Sequence, residues 1–395
     1  MDISGKKILV LGAGRGNLGL VKTAKQKNVE VIVAGLGGNY PCTELADKNV
    51  YADIAKPEEI LEAAIEEKVD GVIICCSDTG LKSVGKCNDT LHLSGITEES
   101  AIWASNKLMM KEILVSAGVR TARFRCITNY FELNNFIDET RFPVIIKAVD
   151  LQGSRGIYIV KEKELLKTAF DSVMKDTKQD FCIVEEYIEG TEFGSQAFVY
   201  NGDILFILPH GDEMIQCNTM VPIGHYMPYE ISNELYQDVI EQSSRAIKAL
   251  KLDNCAVNID LIERNGKAYI IELTGRVGAN CLPELTSNYY GLNYYEMILN
   301  VALGESPLPV WEQRQTNRAT LSKMIFSERS GIVSKISLPE MADVQINMFA
   351  RKGDSVRAFN NSNDAIGEII LKSDNLDMCR ALMKTVINQI QIDYE

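Results

Sequence analysis

Two carboxylates and an arginine recur at short intervals in residues 258–283, NIDLIERNGKAYIIELTGRVGANCLP. Asn258 and Asp260 lie two apart on a strand pattern and so share a face, as do Glu272, Thr274 and Arg276 on the next. If the two sets face the same way, Asp260, Glu272 and Arg276 converge on one small volume. Carboxylates on a rigid sheet suit Mg²⁺, which takes one or two of them and completes its shell with phosphate and water. A neighbouring guanidinium suits a phosphoryl group to be clamped. The turn at Asn265-Gly266 decides the geometry. A two-residue turn pairs Arg264 with Lys267 and sends the carboxylates to opposite faces. A three-residue loop with a bulge pairs Glu263 with Lys267, sets Asn258 opposite Glu272 and leaves Asp260 diagonal on the same face; this is the arrangement expected. A charged surface hairpin is the plain alternative.

Other residues suited to chemistry lie upstream. Lys147 closes an apolar strand just before Gln152-Gly153-Ser154-Arg155-Gly156, and another strand follows. A strand-end ammonium beside a short glycine-rich loop suits phosphate, with backbone N–H groups folding over it. The spacing is not that of a P-loop. Lys107 sits in the helical stretch SNKLMMKEIL. The strand FCIVEE runs into Tyr187-Ile188-Glu189-Gly190-Thr191-Glu192. Purine sites use such a segment, the backbone near Glu186 and Ile188 reading the base while Glu185 and Glu192 stand close by. His210 and His225 fall in a glycine- and proline-bearing region read as loop, as substrate contacts or as loop packing.

The elements that must position these groups begin with a βαβ pattern. An apolar strand over 7–11 is followed by Gly12-Ala13-Gly14-Arg15-Gly16-Asn17-Leu18-Gly19, a helix, and a strand over 30–34. No acidic residue ends the second strand, so the glycines read as a tight turn or another ligand's site rather than a dinucleotide fingerprint. Alternating strands and helices continue to the loop Ser77-Asp78-Thr79-Gly80, which implies a parallel sheet covered on both faces. One helix is expected over 98–114, a hairpin around Asn201-Gly202-Asp203, and an amphipathic helix over 234–250. Four strands and a closing helix after Pro309 read as a small α+β unit. The fold class is thus α/β and α+β, with domains expected at 1–105, 106–310 and 311–395.

The 395 residues suffice for two or three domains, and 46% hydrophobic with 24% charged residues is ordinary for a folded soluble chain. A net charge of −13 argues against nucleic-acid or anionic-membrane partners. No apolar run is long enough to span a membrane, and the scattered cysteines read as reduced thiols, so a cytoplasmic location is expected.

Taken in order, these motifs resemble the ATP-grasp superfamily over essentially the whole chain. Within it the sequence is similar to the carboxylate–amine ligases that include phosphoribosylglycinamide synthetase, carbamoyl phosphate synthetase and L-amino-acid ligases. The resemblance implies ATP and Mg²⁺, with Mn²⁺ as an alternative. It makes Lys107 and Lys147 phosphate ligands and Gly153, Ser154, Arg155 and Gly156 a phosphate lid. Glu185 and the backbone of Glu186 and Ile188 would hold adenine, and Glu192 the ribose. Asp260 and Glu272 would hold the metal, and Arg276 would face the transferring phosphate. Thr274 stands where the family usually has asparagine, and a hydroxyl is a poorer Mg²⁺ ligand than an amide carbonyl. The activity implied is ADP-forming ligation of a small carboxylate to an amine through an acyl phosphate. Phosphoribosylamine–glycine ligation, a kinase-like or carboxylating relative, and a non-catalytic nucleotide-binding protein are the alternatives. A homodimer is one assembly open to it.

Overall fold

The structure is a computed structural model that describes residues 2–151, 156–216, 220–315, 317–361 and 364–395. The chain opens with a parallel sheet of order β3-β2-β1-β4, formed by β1 (Lys7–Leu11), β2 (Glu30–Gly35), β3 (Lys48–Tyr51) and β4 (Gly71–Ile73). Between them lie α1 (Leu18–Gln26) and α2 (Pro57–Glu67), the helices implied by the alternating pattern, and α3 (Leu81–Leu91) follows β4. In the glycine-rich turn after β1, Asn17 donates to the carbonyls of Leu11 and Gly12 and accepts from the Cys75 N–H. The turn is thereby tied to the segment after β4.

The single helix expected over 98–114 is two helices, α4 (Glu98–Ser105) and α5 (Lys107–Ser116). Asn106 separates them: its extended backbone interrupts the helix and its side chain accepts from the N–H groups of Leu108 and Met109. The cap leaves Lys107 as the first residue of α5.

A small antiparallel sheet of order β5-β8-β6-β7 follows, from β5 (Phe124–Ile127), β6 (Val144–Lys147), β7 (Ile157–Val160) and β8 (Cys182–Glu186). Helices α6 (Tyr130–Thr140) and α7 (Lys163–Asp176) supply its core through Leu133, Phe136, Leu166 and Val173.

The centre of the molecule is an eight-stranded antiparallel sheet. Its first strands are β9 (Thr191–Tyr200), β10 (Asp203–Gln216), β11 (Met220–Met227), β12 (Cys255–Arg264) and β13 (Lys267–Thr274). The region of His210 and His225, read from its glycines and prolines as loop, is therefore strand. Cross-strand pairing of β10 with both β9 and β11 overrides the local turn signals. Helix α8 (Asn233–Ala249) packs on this sheet, and α9 (Leu282–Tyr290), α10 (Tyr294–Ala302) and α11 (Leu308–Glu312) follow β13.

The last part of the chain adds β14 (Ala319–Phe326), β15 (Gly331–Ser337), β16 (Val344–Met348), β17 (Ser355–Val356), β18 (Ala365–Ser373), α12 (Leu376–Gln389) and β19 (Gln391–Tyr394). Strands β14, β18 and β16 extend the central sheet beyond β11, while β17-β15-β19 form a small sheet of their own. The described cysteines are all free thiols, and no helix among the described residues is long and apolar enough to cross a membrane.

Candidate functional site

One face of the central sheet carries the chemistry. Asp260 pairs with Glu272 across β12 and β13 and with Gly194 on β9, and Gly194 pairs with His210 on β10. Two residues on, Asp212 pairs with His225 of β11. Gly194 leaves the room that the His210 imidazole fills: a Cβ there would lie 2.2 Å from His210 Cε1.

The hairpin register differs from expectation. Arg264 pairs with Lys267 around a two-residue turn in which Asn265 and Gly266 have φ of 54° and 72°, a left-handed pair typical of type I′. Such a turn would send Asp260 and Glu272 to opposite faces. A β-bulge reverses that outcome: Asp260 pairs with Glu272 but Leu261 with Ile270, leaving Ile271 as the extra residue. The carboxylates end up directly opposite one another on one face. Burial first, and then the charge of Glu272, push the Asp260 pKa up. Such a pair is a donor set in want of a cation, so it fits a hard divalent metal. Lys107 Nζ stands 3.8 Å from Glu272 and donates to the Leu151 carbonyl at 2.7 Å, the edge of the glycine-rich loop. Gly153, Ser154 and Arg155 lie outside the described residues; Gly156 is described, its carbonyl accepting from Ala148 N.

Arg276 follows β13 and is held from an unexpected quarter. Its Nε and Nη2 donate to the two oxygens of Asp78 at 2.8 and 2.7 Å, and Nη1 donates to the Val277 carbonyl. Thr274 Oγ1 donates to Asp78 Oδ1 at 2.7 Å. Burial works against ionisation of Asp78, yet the Arg276 charge and these hydrogen bonds hold its pKa below the usual carboxylate range. Asp78 lies beyond the carboxyl end of parallel strand β4, where open α/β sheets bind ligands, and that position was the signal that could have singled it out.

The residues expected at the purine gather around a buried charge cluster. Glu185 Oε2 accepts from Lys147 Nζ at 3.0 Å and lies 3.3 Å from Lys111 Nζ. Burial would raise the Glu185 pKa, but the two ammonium groups keep it below its usual value. Lys111, in the same helix as Lys107, was not assigned a role from sequence; it is buried and also donates to Thr121 Oγ1. Glu185, expected at adenine, thus has one oxygen committed to lysines. Its Oε1 is buried with no hydrogen-bond partner among the described residues. A buried acceptor without a donor fits a ligand N–H such as the exocyclic amine of adenine. Glu186 N donates to Arg123 O, and Ile188 is buried against Ala122 and Ile262. Glu192 is exposed near the start of β9.

The hydrogen-bond directions across the sheet follow from one backbone donor. Gly278 N–H donates to Gln196 Oε1, which fixes the amide and makes Gln196 Nε2 the donor to Asn258 Oδ1 at 2.7 Å. Asn258 Nδ2 then donates to Asp260 Oδ1 at 3.0 Å. Gln196 Nε2 also faces His210 Nε2 at 3.4 Å, so that nitrogen accepts and the His210 proton sits on Nδ1, against Asp212 Oδ1 at 2.9 Å. Burial lowers the His210 pKa, as a neutral ring requires. Burial opposes ionisation of Asp212 too, but the two histidines hold its pKa well below the usual range.

A family model described as an ATP-grasp domain matches residues 140–284. A crystal structure of phosphoribosylglycinamide synthetase from Anaerococcus prevotii is 44% identical, covers 99% of this chain and 100% of its own, and superposes with a TM-score of 0.88. A phosphoribosylamine–glycine ligase from Fusobacterium nucleatum is 23% identical over 330 residues, 78% of this chain and 76% of that protein. An L-amino acid ligase from Bacillus licheniformis shares the fold at 18% identity, with a TM-score of 0.81 over 99% of both chains.

Proposed function

Because the chain belongs to the ATP-grasp family, we propose that it is an ATP-dependent, ADP-forming carboxylate–amine ligase acting on small metabolites. The observation that carries the reading is the Asp260–Glu272 pair, set opposite one another by a bulge with Lys107 beside Glu272. Two carboxylates facing one another, with an ammonium at 3.8 Å from only one of them, suit a metal–phosphate ligand set.

In this reading Lys147 and Lys107 bind the ATP phosphates, and Glu185, itself held by Lys111, meets the base through Oε1. Asp260 and Glu272 hold Mg²⁺, which when bound neutralises charge on the transferring phosphoryl group. Thr274, whose hydroxyl is turned to Asp78, then serves the arginine rather than the metal. Arg276, fixed in plane by Asp78, presents its remaining donor edge to the phosphoryl oxygens. The γ-phosphate passes to a carboxylate, and an amine displaces phosphate from the acyl phosphate to give an amide. The domain division at 1–105, 106–310 and 311–395 belongs to the same proposal; the separate parallel sheet supports its first boundary, while the run of the central sheet into β14 and β18 makes the second a tight junction.

The test is a screen with ATP, Mg²⁺ and pools of amino acids as acid and amine, reading ADP and phosphate. Release that requires one acid–amine pair supports the reading, and nucleotide binding without turnover under every pool overturns it. A second reading, phosphoribosylamine–glycine ligation, is favoured by the 44% identity to the Anaerococcus prevotii protein over the full chain. Turnover with glycine that needs freshly formed phosphoribosylamine, and no other amine, would select it.

A further inference from the structure

His225 is buried at 5% exposure, and its Nε2 has no hydrogen-bond partner among the described residues. A buried ring nitrogen left in that state costs stability unless a water or a ligand supplies the partner. The other nitrogen, Nδ1, stands 2.6 Å from Asp212 Oδ1. Asp212 is an acceptor, so Nδ1 carries the proton, and in the neutral form of the ring the lone pair is on Nε2. His210 occupies a second approach to the same Asp212 oxygen but has its own Nε2 turned to Gln196. Of the two rings, only His225 keeps a ring nitrogen without a partner among the described residues. It stands on the same sheet face as Asp260, with Ser322 of β14 fixing its backbone through a hydrogen bond to His225 N.

We propose that His225, oriented by Asp212, is the general base that takes a proton from the amine substrate; this rests on the ligase reading above. At neutral pH an alkyl amine is an ammonium ion without a lone pair to attack with. Transfer of one N–H proton to His225 Nε2 frees that pair. The C–N bond then forms at the acyl carbon and the C–O bond to phosphate breaks, its electrons leaving with phosphate. A second amine proton goes to the departing phosphate, and His225 returns its own to solvent. The reaction balances with no further reactant. Asp212 is a positioning residue: it keeps the proton on Nδ1 and steadies the imidazolium that forms, as the carboxylate does in a serine-protease triad.

Hydroxylamine separates this step from activation of the acid, since it is largely unprotonated at neutral pH and captures acyl phosphates without a base. The full-length protein is given ATP, Mg²⁺ and a pool of amino acids, with hydroxylamine or without it. His225→Gln should form hydroxamate within about threefold of the wild-type rate, while amide formation falls about 100-fold or more. Asp212→Asn, which can donate to Nδ1 and so shift the proton to Nε2, should give the same split, and it decides the matter if His225→Gln does not fold. Residual amide formation should climb with pH as free amine accumulates. Hydroxamate and amide lost together, or both retained, would overturn the assignment. A wild-type protein that yields neither hydroxamate nor ADP with any acid would instead bring down the ligase reading and this inference with it.

Discussion

Arg276 and Asp78, 198 residues apart in the chain, form a two-pronged ion pair in which Nε and Nη2 each meet one carboxylate oxygen. The pair ties the loop after β4 to the turn that follows β13, so the parallel sheet and the central sheet share one wall of the proposed site. Fork-on-fork geometry fixes the guanidinium plane as well as its position, which a lysine ammonium cannot reproduce.

Arg276→Lys should therefore leave ATP binding within a few-fold yet slow turnover about tenfold or more, roughly 1.4 kcal/mol of transition-state stabilisation. Asp78→Asn should act in the same direction, since it removes the charge that holds the arginine. Steady-state kinetics beside nucleotide titrations check both. Near-normal turnover in the lysine variant would reduce Arg276 to a source of net charge.

The facing carboxylates Asp260 and Glu272, proposed to hold Mg²⁺, predict a pH signature in the metal-free protein. The folded-state pKa of Asp260 is raised by burial and by Glu272, so the folded state holds a proton that the unfolded chain releases. That group's contribution is a stability that grows as pH falls through the raised pKa and is lost as pH rises above it. With chelator present, wild-type Tm should thus gain more on mild acidification than that of Glu272→Gln, which lacks the repelling charge. At neutral pH Glu272→Gln should be the more stable of the two without metal, should gain less from Mg²⁺, and should turn over far more slowly with ATP still bound. Parallel melting curves at all pH values would remove the coupling.

Around Glu185 the prediction is about stability and binding together. Glu185→Gln leaves Lys111 and Lys147 as buried like charges, and removing one partner of a buried pair typically costs about 3–5 kcal/mol. Denaturant unfolding should register it. Lys147→Ala leaves Glu185 still paired with Lys111, so it should cost less stability and mainly weaken ATP. Equal destabilisation by the two would count against a ligand-directed Lys147.

Gly194→Ala tests the row of groups across the sheet. Its Cβ would fall on the His210 ring, at 2.2 Å from Cε1, and the ring has Gln196 and Asp212 as fixed neighbours. Displacing it should cost about 1–3 kcal/mol of stability, and turnover should fall along with it through Asp212 and His225. Unchanged melting and kinetics would mean that the imidazole has room to move.

Much of the frame is written in local pattern. The runs KILVL and EVIVA with helices between them specify a parallel sheet, because strand and helix periodicity depend on residues only a few positions apart. Asp260 and Glu272 stood out as strand carboxylates for the same reason. The break at Asn106 was legible in principle, as asparagine caps helices, but an unbroken apolar pattern on either side concealed it.

What tertiary structure alone decided concerns partners and register. The bulge at Ile271 puts Asp260 opposite Glu272 despite a two-residue turn, and nothing in IIELT marks which residue is extra; β12 runs in unbroken register along β9, so the extra residue falls on the edge strand β13. Asp78 finds Arg276, and Lys111 joins Lys147 on Glu185, through contacts between segments remote in sequence. His210 and His225 became neighbours because β10 and β11 pair through residues whose glycines and prolines resemble a loop. Periodicity assigns a face to each side chain, whereas the group it meets across that face is set by how distant strands align, a quantity carried by the whole core rather than by any short stretch of sequence.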